Sequence, residues 1–151
     1  MSKLNIGCGL DFIPNAINHD LTKFDPRVDV AHDLNVFPWP WADNTFDEVI
    51  AKAVLEHLVP DLVQSLNEIW RILKPGGLVT IKLPHWRSDI AYQDPTHRWF
   101  FSLLSFEQFD LRTKRGKAYA HYTKFHWHIV TQPHLNKAQS SIHLVMKKVV
   151  E

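Results

Sequence analysis

The apolar positions of this chain change period several times. Lys3 to Ile6 is a short apolar run that ends at Gly7, as a buried strand does. Ala16 to Leu21 is a second run, ending in Asp20-Leu21. Val28 to Leu34 (VDVAHDL) alternates in part and predicts a third strand. Phe46 to Ala51 (FDEVIA) predicts a fourth. Between the last two lies FPWPWADNT, where Pro38, Pro40 and Asp43-Asn44 predict a loop and turn.

Val54, Leu55, Leu58, Leu62, Leu66, Ile69, Trp70 and Leu73 then recur at spacings of mostly three and four. That spacing predicts an amphipathic helix over most of 54–73, with Pro60 near its first turn. Lys74-Pro75-Gly76-Gly77 ends it. Leu78 to Leu83 is the strongest strand signal, and Pro84 stops it. Residues 85–102 are polar and aromatic without a clean period. Ser105 to Leu111 predicts a short helix with a serine cap. Two β-rich runs, 119–131 and 141–150, flank a loop containing Pro133, Asn136 and Lys137 and predict a hairpin.

The sum is an α/β fold: a mostly parallel sheet with an antiparallel C-terminal hairpin. Nine residues separate Ile6 from Ala16 and six separate Leu21 from Val28. A parallel crossover with a packed helix needs about 10 to 12 residues or more. The helices between the first three strands are therefore expected to be reduced to loops or single turns.

Composition narrows the class. A chain of 151 residues, 45% hydrophobic and 22% charged, suits a single domain, here 1–151. A net charge of +1 argues against nucleic acid and against an anionic membrane as partners. Cys8 is the one cysteine, so no intramolecular disulfide forms. No signal peptide or apolar span is visible, and the expected location is cytoplasmic.

The candidate chemistry begins at Gly7-Cys8-Gly9. Glycines after a strand allow a sharp turn and a close ligand approach, although such a turn also forms with no ligand at all. Asp20, with Leu21 beside it, is placed to accept hydrogen bonds from a ribose diol. Asp33 suits an adenine amino group, with Leu34 against the ring. Asp11 stands where a dinucleotide fingerprint would carry its third glycine, and no helix N-terminus follows to receive a pyrophosphate. A nucleoside-like cofactor without phosphates fits better than NAD or FAD.

With those residues in place, the chain resembles the class I S-adenosylmethionine-dependent methyltransferases, and within them the short type 11-like branch. The resemblance rests on LNIGCG (4–9), NHDL (18–21), HDLN (32–35), DNTFDEVIAKAVLEHL (43–58), EIWRILKPGGLVTIKLP (68–84) and DPTHRWFF (94–101). It implies a Rossmann-like seven-stranded sheet whose last strand is antiparallel. It implies S-adenosylmethionine as cofactor, with Gly7, Cys8 and Gly9 facing its methionine part and ribose, Asp20 on the ribose hydroxyls, and Asp33 and Leu34 framing the adenine. Lys52 and Ala53 are implied at the sulfonium end. Asn5 stands where the family usually carries an acidic residue, keeping a hydrogen bond but losing a charge.

For the reaction the candidates are His57, His85 and His97, with Trp86, Tyr92 and Arg98 on the acceptor, Arg98 suiting a carboxylate or phosphate. Each histidine is equally consistent with a structural hydrogen bond. His126 and His128 share a strand face, but no cysteine lies near them and no metal site is expected. The expected activity is methyl transfer to a small-molecule acceptor. The alternative is a non-catalytic cofactor-binding or partner subunit. Because one sheet face lacks its early helices, it is expected to be covered by a second subunit, as in a homo-oligomer, by a partner, or by the first-half loops.

Overall fold

A computed structural model describes residues 1–150. Seven strands form one sheet: β1 (Lys3–Ile6), β2 (Ile17–Asp20), β3 (Val30–Ala31), β4 (Phe46–Lys52), β5 (Leu73–Pro84), β6 (His126–Leu135) and β7 (Ser141–Val149). Their order is β3-β2-β1-β4-β5-β7-β6. The first five run parallel; β7 is antiparallel to β5 and to β6. This is the expected Rossmann-like sheet with its antiparallel hairpin.

No helix separates β1 from β2 or β2 from β3. Helix α1 (Leu62–Ile72) covers the centre instead, burying Leu66, Ile69 and Ile72. It starts eight residues later than the periodicity predicts, because Pro60 precedes its cap rather than entering its first turn. Asp61 is that cap, accepting from the Gln64 amide at 2.9 Å, a contact worth about 1 kcal/mol. The apolar residues before it form a 3-10 helix, Leu55–His57. A 3-10 helix also brings i and i+3 together, so Leu55 and Leu58 fit either element.

The core lies on the α1 face of the sheet. Leu4, Val49, Val79 and Met146 form one buried cross-strand row; Ile6, Ala51, Ile81 and Leu144 form the next. Toward β3 the loop 36–45 stands in for a helix. Trp39 is buried, and Trp41 meets Trp39, Phe46 and His19 edge-on at 5.3–6.3 Å between ring centroids. Arg71 of α1 pins this loop by donating to the Trp39 and Trp41 carbonyls and to Asp43.

The opposite face differs from the bare apolar surface that the sequence argument assumed. Its rows read Lys3, Glu48, Leu78, Lys147; then Asn5, Ile50, Thr80, Val145; then Lys52, Lys82, His143. Lys3 pairs with Glu48 at 2.8 Å, and Thr80 donates to Glu48. A polar face of this kind is stable in water, so the cost that argued for a second subunit falls away. Where the face is buried, at Asn5 and Asn18, the loop after β1 laps over it. Asn5 Nδ2 donates to the Asp11 carbonyl (2.9 Å) and to Asn18 Oδ1 (3.0 Å), and the Ile13 amide also donates to Asn18 Oδ1 (2.9 Å).

The second half of the chain departs from expectation in two further places. Residues 105–111 hold a 3-10 helix, Glu107–Phe109, followed by an unforeseen helix α2 (Lys114–Ala118) capped by Thr113. The strand expected from 119 starts at His126, because Ala120–Tyr122 coils into another 3-10 helix. Among the described residues no helix is long and apolar enough to cross a membrane.

Candidate active site

The parallel strands bring their carboxyl ends to one rim. After β1 the chain turns through Gly7 (φ +58°) and Gly9 (φ +50°), both left-handed, which glycine adopts without strain. At Gly7 space is also short: an added Cβ would lie 2.6 Å from Val54 Cγ2. The turn is stitched to β2. The Cys8 amide donates to the His19 carbonyl (2.9 Å), and the Gly9 amide to Asp20 Oδ2 (2.8 Å). Asp20 Oδ1 accepts from the Leu21 amide (2.7 Å). A carboxylate has about four lone-pair sites, so both Asp20 oxygens can still accept from a ligand.

His19 is buried beneath the turn. Its Nδ1 accepts from the Gly7 amide (3.3 Å) and its Nε2 donates to the His32 carbonyl (2.9 Å), a tautomer assigned from those two partners. Burial pushes its pKa down, which keeps the ring a neutral strut between β1 and the end of β3.

These strand ends enclose a cavity of about 400 Å³, within the range of small-molecule sites. Gly7, Gly9, Asp20, Leu21, Asp33 and Leu34 line it, as does Ala53. Ala53 sits at φ +52° with its amide bonded to the Lys82 carbonyl (2.9 Å). A non-glycine residue held there stores about 1 kcal/mol or more of strain. Three residues assigned to the cofactor lie outside the cavity wall. Asn5 is turned to the opposite sheet face, where it holds the loop. Lys52 faces that side too, paired with Asp11 at 3.2 Å. The Cys8 thiol is buried with Sγ 3.6 Å from the Gly9 carbonyl, and burial pushes its pKa up. Sequence reasoning missed His19, His32, Asn35, Val54 and Leu58, which also line the cavity. All five fall inside the quoted motifs and were findable there.

A second, polar cleft of about 520 Å³ adjoins the first and shares Asn35 and His57 with it. Its other wall is Pro95, Thr96, His97 and Arg98. The Arg98 and Trp99 amides donate to the Glu56 carbonyl (2.7 and 3.3 Å), and Trp99 Nε1 donates to the Leu58 carbonyl (2.7 Å). Trp99 thus pins the loop, as a structural aromatic does, while Arg98 faces the cleft. His57 and His97 lie edge to face, 4.6 Å between ring centroids. Burial, reinforced by His97, pushes the His57 pKa down.

Glu56 lies behind both rings. It is 1% exposed, and neither carboxylate oxygen has a hydrogen-bond partner among the described residues. Burial pushes its pKa up to about 7, against the opposing effects of its own backbone amide and of His97. Sequence reasoning passed over Glu56 and expected no metal site. The structure gathers Glu56, His57 and His97 so that one ligand atom from each lies within 4.8 Å of the others.

The remaining candidates sit elsewhere. His85 is buried in the turn after β5, its amide bonded to the Ser140 carbonyl, and lines neither cavity. Trp86 and Tyr92 line a separate shallow groove with Phe100 and Phe101, where Tyr92 stacks on Phe100 at 4.9 Å. They are not brought together with Arg98.

The family model described as a methyltransferase domain matches residues 4–81, from β1 into β5. The chain belongs to the methyltransferase domain family. The cofactor of this methyltransferase domain is S-adenosylmethionine. A demethylmenaquinone methyltransferase of Lysinibacillus sphaericus is 34% identical over 98 residues, which cover 64% of this chain and 41% of that protein. The chain thus spans less than half the length of that curated relative. Solved structures share the fold at low identity. A complex of the Haloferax volcanii Trm112 methyltransferase activator with a methyltransferase gives a TM-score of 0.69 at 12% identity, covering 99% of this chain and 83% of that one. A SAM-dependent methyltransferase from Archaeoglobus fulgidus gives 0.65 at 17%, covering 97% and 86%. The methyltransferase sheet here reaches the same topology without helices among its first three strands.

Proposed function

We propose that this chain transfers the methyl group of S-adenosylmethionine to a small-molecule acceptor held in the polar cleft. The observation that carries the reading is the shared wall: Asn35 and His57 line both the strand-end cavity and the cleft beside it. Asp20 takes the ribose hydroxyls with its free lone pairs, Asp33 the adenine amino group, and Leu34 the ring face. The Gly7–Gly9 turn and Ala53 bound the methionine and sulfonium end. When bound, the cofactor supplies a methyl group on a sulfonium whose leaving group is already good. The protein's main contribution is then alignment, which alone is worth up to about 7 to 11 kcal/mol in well-oriented reactions. Arg98 recognises a carboxylate or phosphate of the acceptor. His57 and His97 stand where an oxygen or nitrogen acceptor would lose its proton.

Calorimetry with S-adenosylmethionine tests the first half, with one-to-one binding expected. Release of S-adenosylhomocysteine across small anionic and glycan-like acceptors tests the second. Absence of cofactor binding would overturn the reading. Binding without release from any acceptor would leave a cofactor-binding subunit.

A further inference from the structure

We propose that Glu56, His57 and His97 form a binding site for one divalent transition metal of the zinc type. Three features of the cluster point there. First, Glu56 is 1% exposed and both its oxygens lack partners, whereas buried carboxylates are nearly always paired or bound to a metal. Second, each histidine is oriented from behind. His97 Nδ1 is 2.9 Å from the Ala91 carbonyl, so it donates there, and in the neutral ring Nε2 keeps its lone pair. That Nε2 lies 4.0 Å from Glu56 Oε1, too far for a hydrogen bond. His57 Nδ1 is 2.8 Å from Thr96 Oγ1, whose proton goes to Asp94 Oδ1 (2.7 Å), so this imidazole also donates outward and leaves Nε2 free. Metal-bound histidines are held in this way, by an oxygen on the ring nitrogen that does not bind the metal.

Third, the donor set and its spacing fit. Two imidazoles and one carboxylate are a known zinc set that leaves a fourth position open. Zinc bonds of about 2.0–2.1 Å put tetrahedral ligand atoms about 3.4 Å apart. One ligand atom from each of the three residues lies within 4.8 Å of the others, so a closure of up to about 1.4 Å between ligand atoms forms the site. His57 and His97 also line the polar cleft, which lets the open position take water or an oxygen of a molecule bound there. An ion so placed would lower the pKa of a coordinated acceptor hydroxyl, whose proton would then leave to solvent rather than to the imidazoles. The site itself stands whether or not methyl transfer does.

The test is zinc titration of the chelator-stripped full chain by calorimetry. One zinc per chain is expected, bound at micromolar concentration or tighter. Glu56→Gln and His97→Ala are each expected to weaken it at least tenfold, while a His126→Ala, His128→Ala variant binds as the parent does. X-ray absorption of the zinc-loaded parent should show two imidazoles and one carboxylate, a readout that does not depend on the variants folding. Failure of the parent to bind, stoichiometric binding that survives both Glu56→Gln and His97→Ala, or another ligand set would overturn the proposal.

Discussion

The strand-end cavity and the polar cleft share Asn35 and His57, yet they are built in opposite ways. The cavity is local. Its walls are strand ends a few residues from sheet hydrogen bonds, and its polar contacts are largely backbone amides already aimed by the sheet. The cleft is assembled from distance. Glu56 and His57 come from the turn after β4, and Thr96, His97 and Arg98 from a loop after β5. A cavity of the first kind changes little unless the sheet changes. A cleft of the second kind can be altered, loosened or lost while the sheet stays whole.

The most damaging way to probe the difference is at Gly7. Gly7→Ala forces a side chain onto φ +58° and into Val54, at a cost of about 3 kcal/mol. Calorimetric unfolding should show the midpoint fall by about 9 °C, with cofactor binding lost as well. Next comes Asp20→Ala, which removes charge-assisted hydrogen bonds worth about 2 kcal/mol. S-adenosylmethionine affinity should drop about 30-fold. Arg98→Ala should leave that affinity within about twofold and raise the acceptor KM about tenfold instead, one charged contact being worth about 1.4 kcal/mol or more. Equal loss of cofactor affinity in both variants would erase the distinction.

Asp110 sharpens it from the cleft side, since it ties the segment after the cleft loop to β6. It accepts from the Ile129 amide (2.8 Å) and pairs with Arg112 (2.6 Å). Burial alone would raise its pKa, but the bonds from Arg112 and from the Ile129 amide hold it at about 2. A folded pKa below the unfolded one, near 3.9, stabilises the fold above about pH 4. That contribution is lost as pH falls from about 4 toward 2. Asp110→Ala should cost about 2 kcal/mol at neutral pH and flatten that acid limb in urea titrations. Cofactor affinity should hold. The smallest expected change is at Ala53, where glycine would relieve the left-handed backbone. Ala53→Gly should gain up to about 1 kcal/mol, seen as a slightly higher midpoint in urea.

The same local-versus-distant contrast decides what was legible in the sequence. Strand β1 at Lys3–Ile6, the glycine turn, Asp20, Asp33 and the hairpin are short-range patterns, and each was readable. The onset of α1 was not, because Val54, Leu55 and Leu58 satisfy helical spacing while lying in a 3-10 helix and its flanks. The aromatic run from Tyr119 reads as strand by residue type, yet Tyr119 and Tyr122 pack on one another across a 3-10 helix. The Glu56–His57–His97 cluster was hidden for another reason. Nothing in EHL or in PTHR shows that the two meet across α1 and β5. Asn5 misled by analogy: its amide is spent on the loop that closes over the far sheet face.

At Arg98 the cleft loop is docked through its main chain. The Arg98 and Trp99 amides bind the Glu56 carbonyl, and the Phe101 carbonyl receives the Trp86 amide. Any side chain can hang from bonds of that kind. Thr96 and His97 are also tied down by their side chains, so Arg98 is the position at which new acceptor preferences could be tried by substitution without rebuilding the platform beneath.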